Sequence, residues 1–171
     1  VKVAIRSLPK WLILPEIVSN NKQSLEFSNG SVIKAIPTSD DAGRSEALSL
    51  LIVDEAAFVR NFDELWMGLY PTLSTGGRAI VLSTPNGVGG QYYELYRGAE
   101  SGENEFNPIK LPWDVHPEHD EEWFNNEAKN MSPKQIAQEL LCDFAASGDT
   151  FLASENLEYV RNTIRNPLEK W

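Results

Sequence analysis

Residues 48–58 read Leu-Ser-Leu-Leu-Ile-Val-Asp-Glu-Ala-Ala-Phe (LSLLIVDEAAF), and the reading of this stretch decides the fold of the chain. Leu48 to Val53 is an apolar run of strand length that stops abruptly at two carboxylates, the pattern of a strand buried on both faces of a parallel sheet. Ala79 to Ser83 (AIVLS) repeats the form. Between the two lies FDELWMGLYPTL, read as helical and of suitable length for the crossover that parallel strands require, so the order is strand, helix, strand. The expected fold class is α/β.

Upstream of this core, Ser24 to Ile36 holds two alternating runs, SLEF and SVIKAI, around Asn29-Gly30, a strong hairpin signal. Val3, Ile5, Leu8 and Leu12 recur at roughly helical spacing with Pro9 interrupting, which predicts the tail of a longer helix and then a turn. Downstream, QYYELYRG after Gly90 predicts a short helix and FNPIKLPW an extended segment, followed by helices near Asp120 to Asn130 and Ser132 to Phe144. Ser132 is suited to cap the second of these, with Pro133 pre-setting φ in its first turn. A last short helix over SENLEYVRNTIRN is expected to be capped by Ser154. No internal repeat, low-complexity tract or clear linker interrupts the chain.

The composition of the 171 residues is that of an ordinary globular domain, and the charge balance of −10 argues against a stand-alone nucleic-acid binder, which needs cations to displace phosphate counterions. A DNA partner would have to be gripped by another region. No run approaches the roughly twenty apolar residues that span a bilayer, and no signal peptide stands at the front, so a soluble intracellular protein is expected. Cys142 is the one cysteine and excludes an internal disulfide; in QELLCDF, read as an apolar helical stretch, packing explains it better than reactivity. The chain begins at Val1 rather than Met, so it is read as a piece of a longer protein.

The chemistry centres on Asp54 and Glu55, which the first strand delivers to its carboxyl end, where ligands bind in open α/β sheets. In nucleotide hydrolysis one acid holds Mg²⁺ and its neighbour orients and deprotonates the attacking water. The bland alternative makes Asp54 a cap and Glu55 a solvated charge. The second strand ends in Leu82-Ser83-Thr84-Pro85-Asn86-Gly87, whose hydroxyls and amide suit a γ-phosphate or the lytic water; taken alone it is also an ordinary turn. Arg44, in SDDAGRSEA ahead of the first strand, is either a surface charge or a guanidinium reaching a transferred phosphate.

In sequence order the Asn29-Gly30 hairpin, Arg44, LLIVDEAAF, LSTPNG, WDVHPEHDEEW, QELLCDF and SGDTF resemble the large terminase subunit of tailed bacteriophages, in the later part of its ATPase domain. The resemblance implies a P-loop NTPase-type core with a mainly parallel sheet, flanking helices, a β-hairpin and a C-terminal helical linker subdomain. Residues 1–112 would form the later part of the ATPase core and residues 113–171 the linker subdomain. The implied activity is ATP hydrolysis driving double-stranded viral DNA into a procapsid, with ATP and Mg²⁺ as cofactors. The implied partners are that DNA, the portal protein, the small terminase subunit and further copies in a ring, in the host cytoplasm at the procapsid portal. Carried over residue by residue, Asp54 matches the Walker B aspartate and metal ligand, and Glu55 the catalytic glutamate. Ser83, Thr84 and Asn86 match the coupling motif, and Arg44 the arginine acting across a subunit interface. No GxxxxGK[ST] loop exists in the chain; in the family it lies upstream, and a nuclease domain lies downstream.

Other clusters carry less. Asp114, His116, His119, Asp120 and Glu121 offer metal-ligand chemistry, but their spacing fits no standard zinc pattern and Pro117 breaks a shared helical face. Trp66, Trp113, Trp123, Tyr92, Tyr93 and Tyr96 read as packing rather than base stacking, because their neighbours are acidic or apolar. Lys2, Arg6 and Lys10 form at most a solvated basic stripe. Two competing functions are a helicase-like ATPase and a non-catalytic assembly module that keeps a nucleotide-binding shape.

Overall fold

A computed structural model describes residues 2–9, 11–12, 15–38, 47–148 and Thr163. The chain divides into two compact units, Val1–Ala42 and Gly43–Trp171.

In the first unit a six-residue helix α1 (Lys2–Ser7) ends before Pro9, as the missing N–H and ring of proline require. Lys2 and Arg6 lie on α1, whereas Lys10 falls outside the described residues. Three antiparallel strands follow in the order β1 (Ile17–Asn20), β2 (Ser24–Phe27) and β3 (Val32–Lys34). The expected hairpin is β2 and β3, with Leu25 opposite Ile33. Its turn works as Asn-Gly turns do: Gly30 takes a φ of 82°, and the Asn29 side chain accepts from the Ser31 N–H at 3.1 Å. β1 extends the hairpin to a three-stranded sheet. It is joined through Asn21, whose side-chain oxygen accepts from the N–H groups of Gln23 and Ser24 at 2.9 and 2.8 Å.

The second unit holds the strand, helix, strand core. β4 (Leu50–Val53) and β5 (Arg78–Val81) run parallel, with Leu50 beside Arg78 and Val53 beside Val81. The crossover contains α2 (Phe62–Leu69) and a 3₁₀ turn over Tyr70–Leu73. Phe62, Leu65, Trp66 and Leu69 recur at helical spacing and are all buried. The expectation of a strand buried on both faces is corrected. Leu51 and Val53 are buried, but Leu50 and Ile52 are 51% and 59% exposed. Side chains alternate along a strand, so an apolar run serves two faces, and among the described residues only one is covered. The expected mainly parallel sheet is likewise, among the described residues, a single parallel pair, and the three-stranded sheet of the first unit is a separate, antiparallel one.

α3 (Gly90–Ser101) is longer than the predicted helix and ends at Gly102, whose φ of 74° is the left-handed conformation that closes helices. α4 (Glu121–Ala128) begins where Asp120 accepts from the Trp123 N–H at 2.8 Å. Ser132 closes a complete capping box with Gln135 at the head of α5 (Pro133–Gln135). Replacing Ser132 by Ala is therefore expected to lower unfolding free energy by about 1 kcal/mol, read from a denaturant midpoint; no change would remove the cap from the account.

The helix predicted to run on to Phe144 does not. α5 widens into a π turn over Ile136–Leu140, and the chain then reverses at Cys142, whose φ is 50°. A new short helix α6 (Phe144–Ser147) starts from Asp143, whose side chain accepts from the N–H groups of Ala145 and Ala146. Cys142 thus sits in a reversal rather than within a helix. Burial pushes its thiol above the usual range, and its Sγ lies 3.5 Å from the Leu111 carbonyl, so packing accounts for it. The stretch of the helix expected from Ser154 lies outside the described residues except for Thr163, which is helical. No helix among the described residues is long and apolar enough to cross a membrane.

Candidate functional site

The two parallel strands bring their carboxyl ends to one edge, and hydrogen bonds tie those ends together. The Leu82 N–H donates to the Val53 carbonyl at 3.0 Å and the Ala56 N–H to the Leu82 carbonyl at 3.1 Å, which extends the ladder past both strands. Beyond it the Ala57 N–H donates to Ser83 Oγ at 3.2 Å, and the Asn86 side-chain amide donates to the Ala57 carbonyl at 3.3 Å. The segment after the acid pair is therefore held by two of the residues singled out in LSTPNG.

Asp54 and Glu55 are both exposed at this edge. An extended chain would send neighbouring side chains to opposite faces, but Glu55 adopts φ 52° and ψ 39°, a left-handed turn that breaks the alternation. That conformation costs a non-glycine residue about 1–2 kcal/mol. Strain of this kind persists where the surroundings over-determine it, and it clusters at functional sites. Asp54 contributes by accepting from the Glu55 N–H at 3.0 Å, and a 3₁₀ turn over Ala56–Phe58 follows at once.

Ser83 and Thr84 are half-buried and Pro85 is buried, so the loop leaves β5 along the protein rather than as a free turn. Tyr92 on α3 donates its hydroxyl to the Ser83 carbonyl at 3.2 Å. Burial pushes the Tyr92 phenol upward and outweighs the opposing effect of that bond, which keeps the hydroxyl protonated as a donor. An open cleft of about 420 Å³ lies next to this edge, between the turn at Ala57 and Asn61 and the start of α3 at Gly89 and Gln91. The acid pair does not line it; the carboxylates face open solvent.

Arg44 lies outside the described residues. The aromatic residues read as packing are packed. Trp66 has ring contacts with Phe62, Tyr70 and Phe106, while Phe144 sits against Tyr92, Tyr93 and Tyr96 at 5.2–6.0 Å. His119 stacks on Trp123 at 3.6 Å and on His116 at 4.2 Å. Among the described residues no three His, Cys, Asp or Glu side chains converge as metal ligands.

Sequence reasoning quoted Ser147 only within SGDTF and gave it no role, yet it is the most deeply buried polar side chain among the described residues, with no exposed surface. Its Oγ accepts from the Gly87 N–H at 3.0 Å, fixing the far end of the strand-end loop. A serine before a glycine carries no local sign of a partner so far back in the chain.

The ordered arrangement of strand ends agrees with a family model that describes the N-terminal part of the large terminase subunit, T4-like-virus type, and matches residues 2–158. The chain belongs to the large terminase subunit family, in the N-terminal region of that protein.

Proposed function

We propose that this chain supplies the acid pair and coupling loop of an ATPase that drives double-stranded DNA into a viral procapsid. The observation that supports this best is the joining of the two motifs at one sheet edge, through the bond from the Ala57 N–H to Ser83 Oγ. Hard oxygen donors are what Mg²⁺ and a triphosphate need, and the edge offers the carboxylates of Asp54 and Glu55 with the hydroxyls of Ser83 and Thr84. When bound, the ion neutralises charge on the phosphates.

In this reading Asp54 would hold the ion when it is bound. Glu55 accepts a hydrogen bond, and then the proton, from the attacking water at its carboxylate. Ser83 Oγ already accepts from Ala57 and keeps its own proton to donate toward a phosphate oxygen. Asn86 and Thr84 complete the contact, and Arg44 stabilises transferred charge from a neighbouring copy in a ring. The grip on DNA belongs to other regions of the protein, as the charge of −10 requires, with the portal and the small terminase subunit as further partners.

The phosphate cradle of such an ATPase is a glycine-lysine loop, and no such loop stands in these 171 residues. The isolated chain is therefore expected to show no ATP turnover above background, and Glu55-dependent turnover by it would contradict the proposal. The positive test is ATP hydrolysis by the full-length protein, compared with its Glu55→Gln variant. Loss of turnover with binding retained supports the motor, unchanged turnover removes Glu55 from the reaction, and absence of turnover in the wild-type protein selects a non-catalytic module.

A further inference from the structure

Ser83 and Ser147 belong to one closed circuit. From Ser83 the loop runs through Asn86 to Gly87, whose N–H donates to Ser147 Oγ at 3.0 Å. Ser147 Oγ in turn donates to the Phe144 carbonyl at 3.1 Å, and the Phe144 ring packs on Tyr92 at 6.0 Å. Tyr92 closes the ring by donating to the Ser83 carbonyl. One hydroxyl thus both accepts from the loop and donates into α6.

The fit behind this hydroxyl is backbone on backbone. A Cβ at Gly87 would stand 2.8 Å from the Gly148 Cα, and one at Gly148 would stand 2.7 Å from the Gly87 Cα. Gly87 also needs its freedom of φ, which is 84°. Neither glycine has room for a side chain, so the strand-end loop and the chain at Gly148 move together or lose the contact.

We infer that Ser147, with Gly148 beside it, is a positioning residue that latches the loop 83–87 to α6. This rests on the proposed role of Ser83 and Asn86 at the phosphate. The latch holds Asn86 against the Ala57 carbonyl, and so holds the segment that follows Glu55.

The test uses the full-length protein with Ser147→Ala, Leu69→Ala and Glu55→Gln, each assayed for kcat, KM, thermal midpoint and hydrogen exchange at the Gly87 amide. Ser147→Ala removes the acceptor and is expected to speed exchange at Gly87. It is also expected to lower kcat about 10-fold, with KM within about 2-fold, because misplacement rather than lost binding is at work. Leu69→Ala empties a core position only 3% exposed that takes no part in the circuit of hydrogen bonds, so it lowers the midpoint without changing kcat per folded molecule. Wild-type kcat in Ser147→Ala beside an inactive Glu55→Gln overturns the latch and leaves the ATPase reading standing. Equal losses of kcat in Ser147→Ala and Leu69→Ala reduce Ser147 to a structural role and also overturn it. Wild-type turnover in Glu55→Gln, or no turnover in the wild-type protein, overturns the proposed site and the latch with it.

Discussion

Glu55→Gln in the full-length protein is expected to lower kcat for ATP hydrolysis by about 10³-fold while leaving ATP affinity within a few-fold of wild type. The substitution keeps the size of the side chain and its ability to accept a hydrogen bond from water. It removes the ability to take a proton. Gln faces the same left-handed backbone as Glu, at φ 52°, so the turn into Ala56–Phe58 is under no new strain. Asp54 still accepts from the N–H at position 55, and Ala57 still donates to Ser83. A loss confined to kcat would place Glu55 in the chemical step, whereas a loss confined to KM would make it a binding residue only. Titrating a fluorescent ATP analogue beside steady-state turnover separates the two.

Trp66→Ala should have the largest effect on stability, about 3–5 kcal/mol, which is a large part of what a domain of this size has to lose. Trp66 is 7% exposed and lies within ring-contact distance of Phe62, Tyr70 and Phe106, at 5.6–5.9 Å. Removing the indole empties the centre of that aromatic group, and the rigid rings around it collapse only partly into the space. Met67, the next residue on α2, is 67% exposed, and Met67→Ala should stay within about 0.5 kcal/mol. Denaturant midpoints of the two variants, at unchanged m-value, check the contrast. Similar midpoints would mean that α2 does not pack through its Trp66 face.

The core was legible because its signals are long and mutually consistent. LSLLIV stops at two carboxylates, FDELWMGLYPTL has the length of a crossover helix, and AIVLS repeats the first run. The order of strand, helix and strand follows from these alone. Asn29-Gly30 and the Ser132-Pro133 start were equally readable, since each residue type there answers a specific backbone need.

What was not legible depends on tertiary context. β1 is four residues long, IVSN, and lacks the alternation that marked its neighbours; the Asx turn at Asn21 was the available clue. The break at Cys142 has no proline or glycine to announce it, and QELLCDF alone favours a helix. The left-handed turn at Glu55 has no sequence signature, because Glu is not among the residues enriched there. Apolar runs show that a strand is buried without showing which face is covered, and so Leu50 and Ile52 were misread. Within the site the residue types at both strand ends were visible, while the bonds joining them were not.

The most direct test of the central claim is where a nucleotide and its metal bind. A crystal structure of the full-length protein with a non-hydrolysable ATP analogue and Mn²⁺ in place of Mg²⁺ would locate the metal by its anomalous scattering. The account predicts the metal at water-bridged distance from the Asp54 carboxylate, with the γ-phosphate between Glu55 and Ser83. A metal and triphosphate bound elsewhere, with the Asp54–Glu55 edge open to solvent, would contradict it.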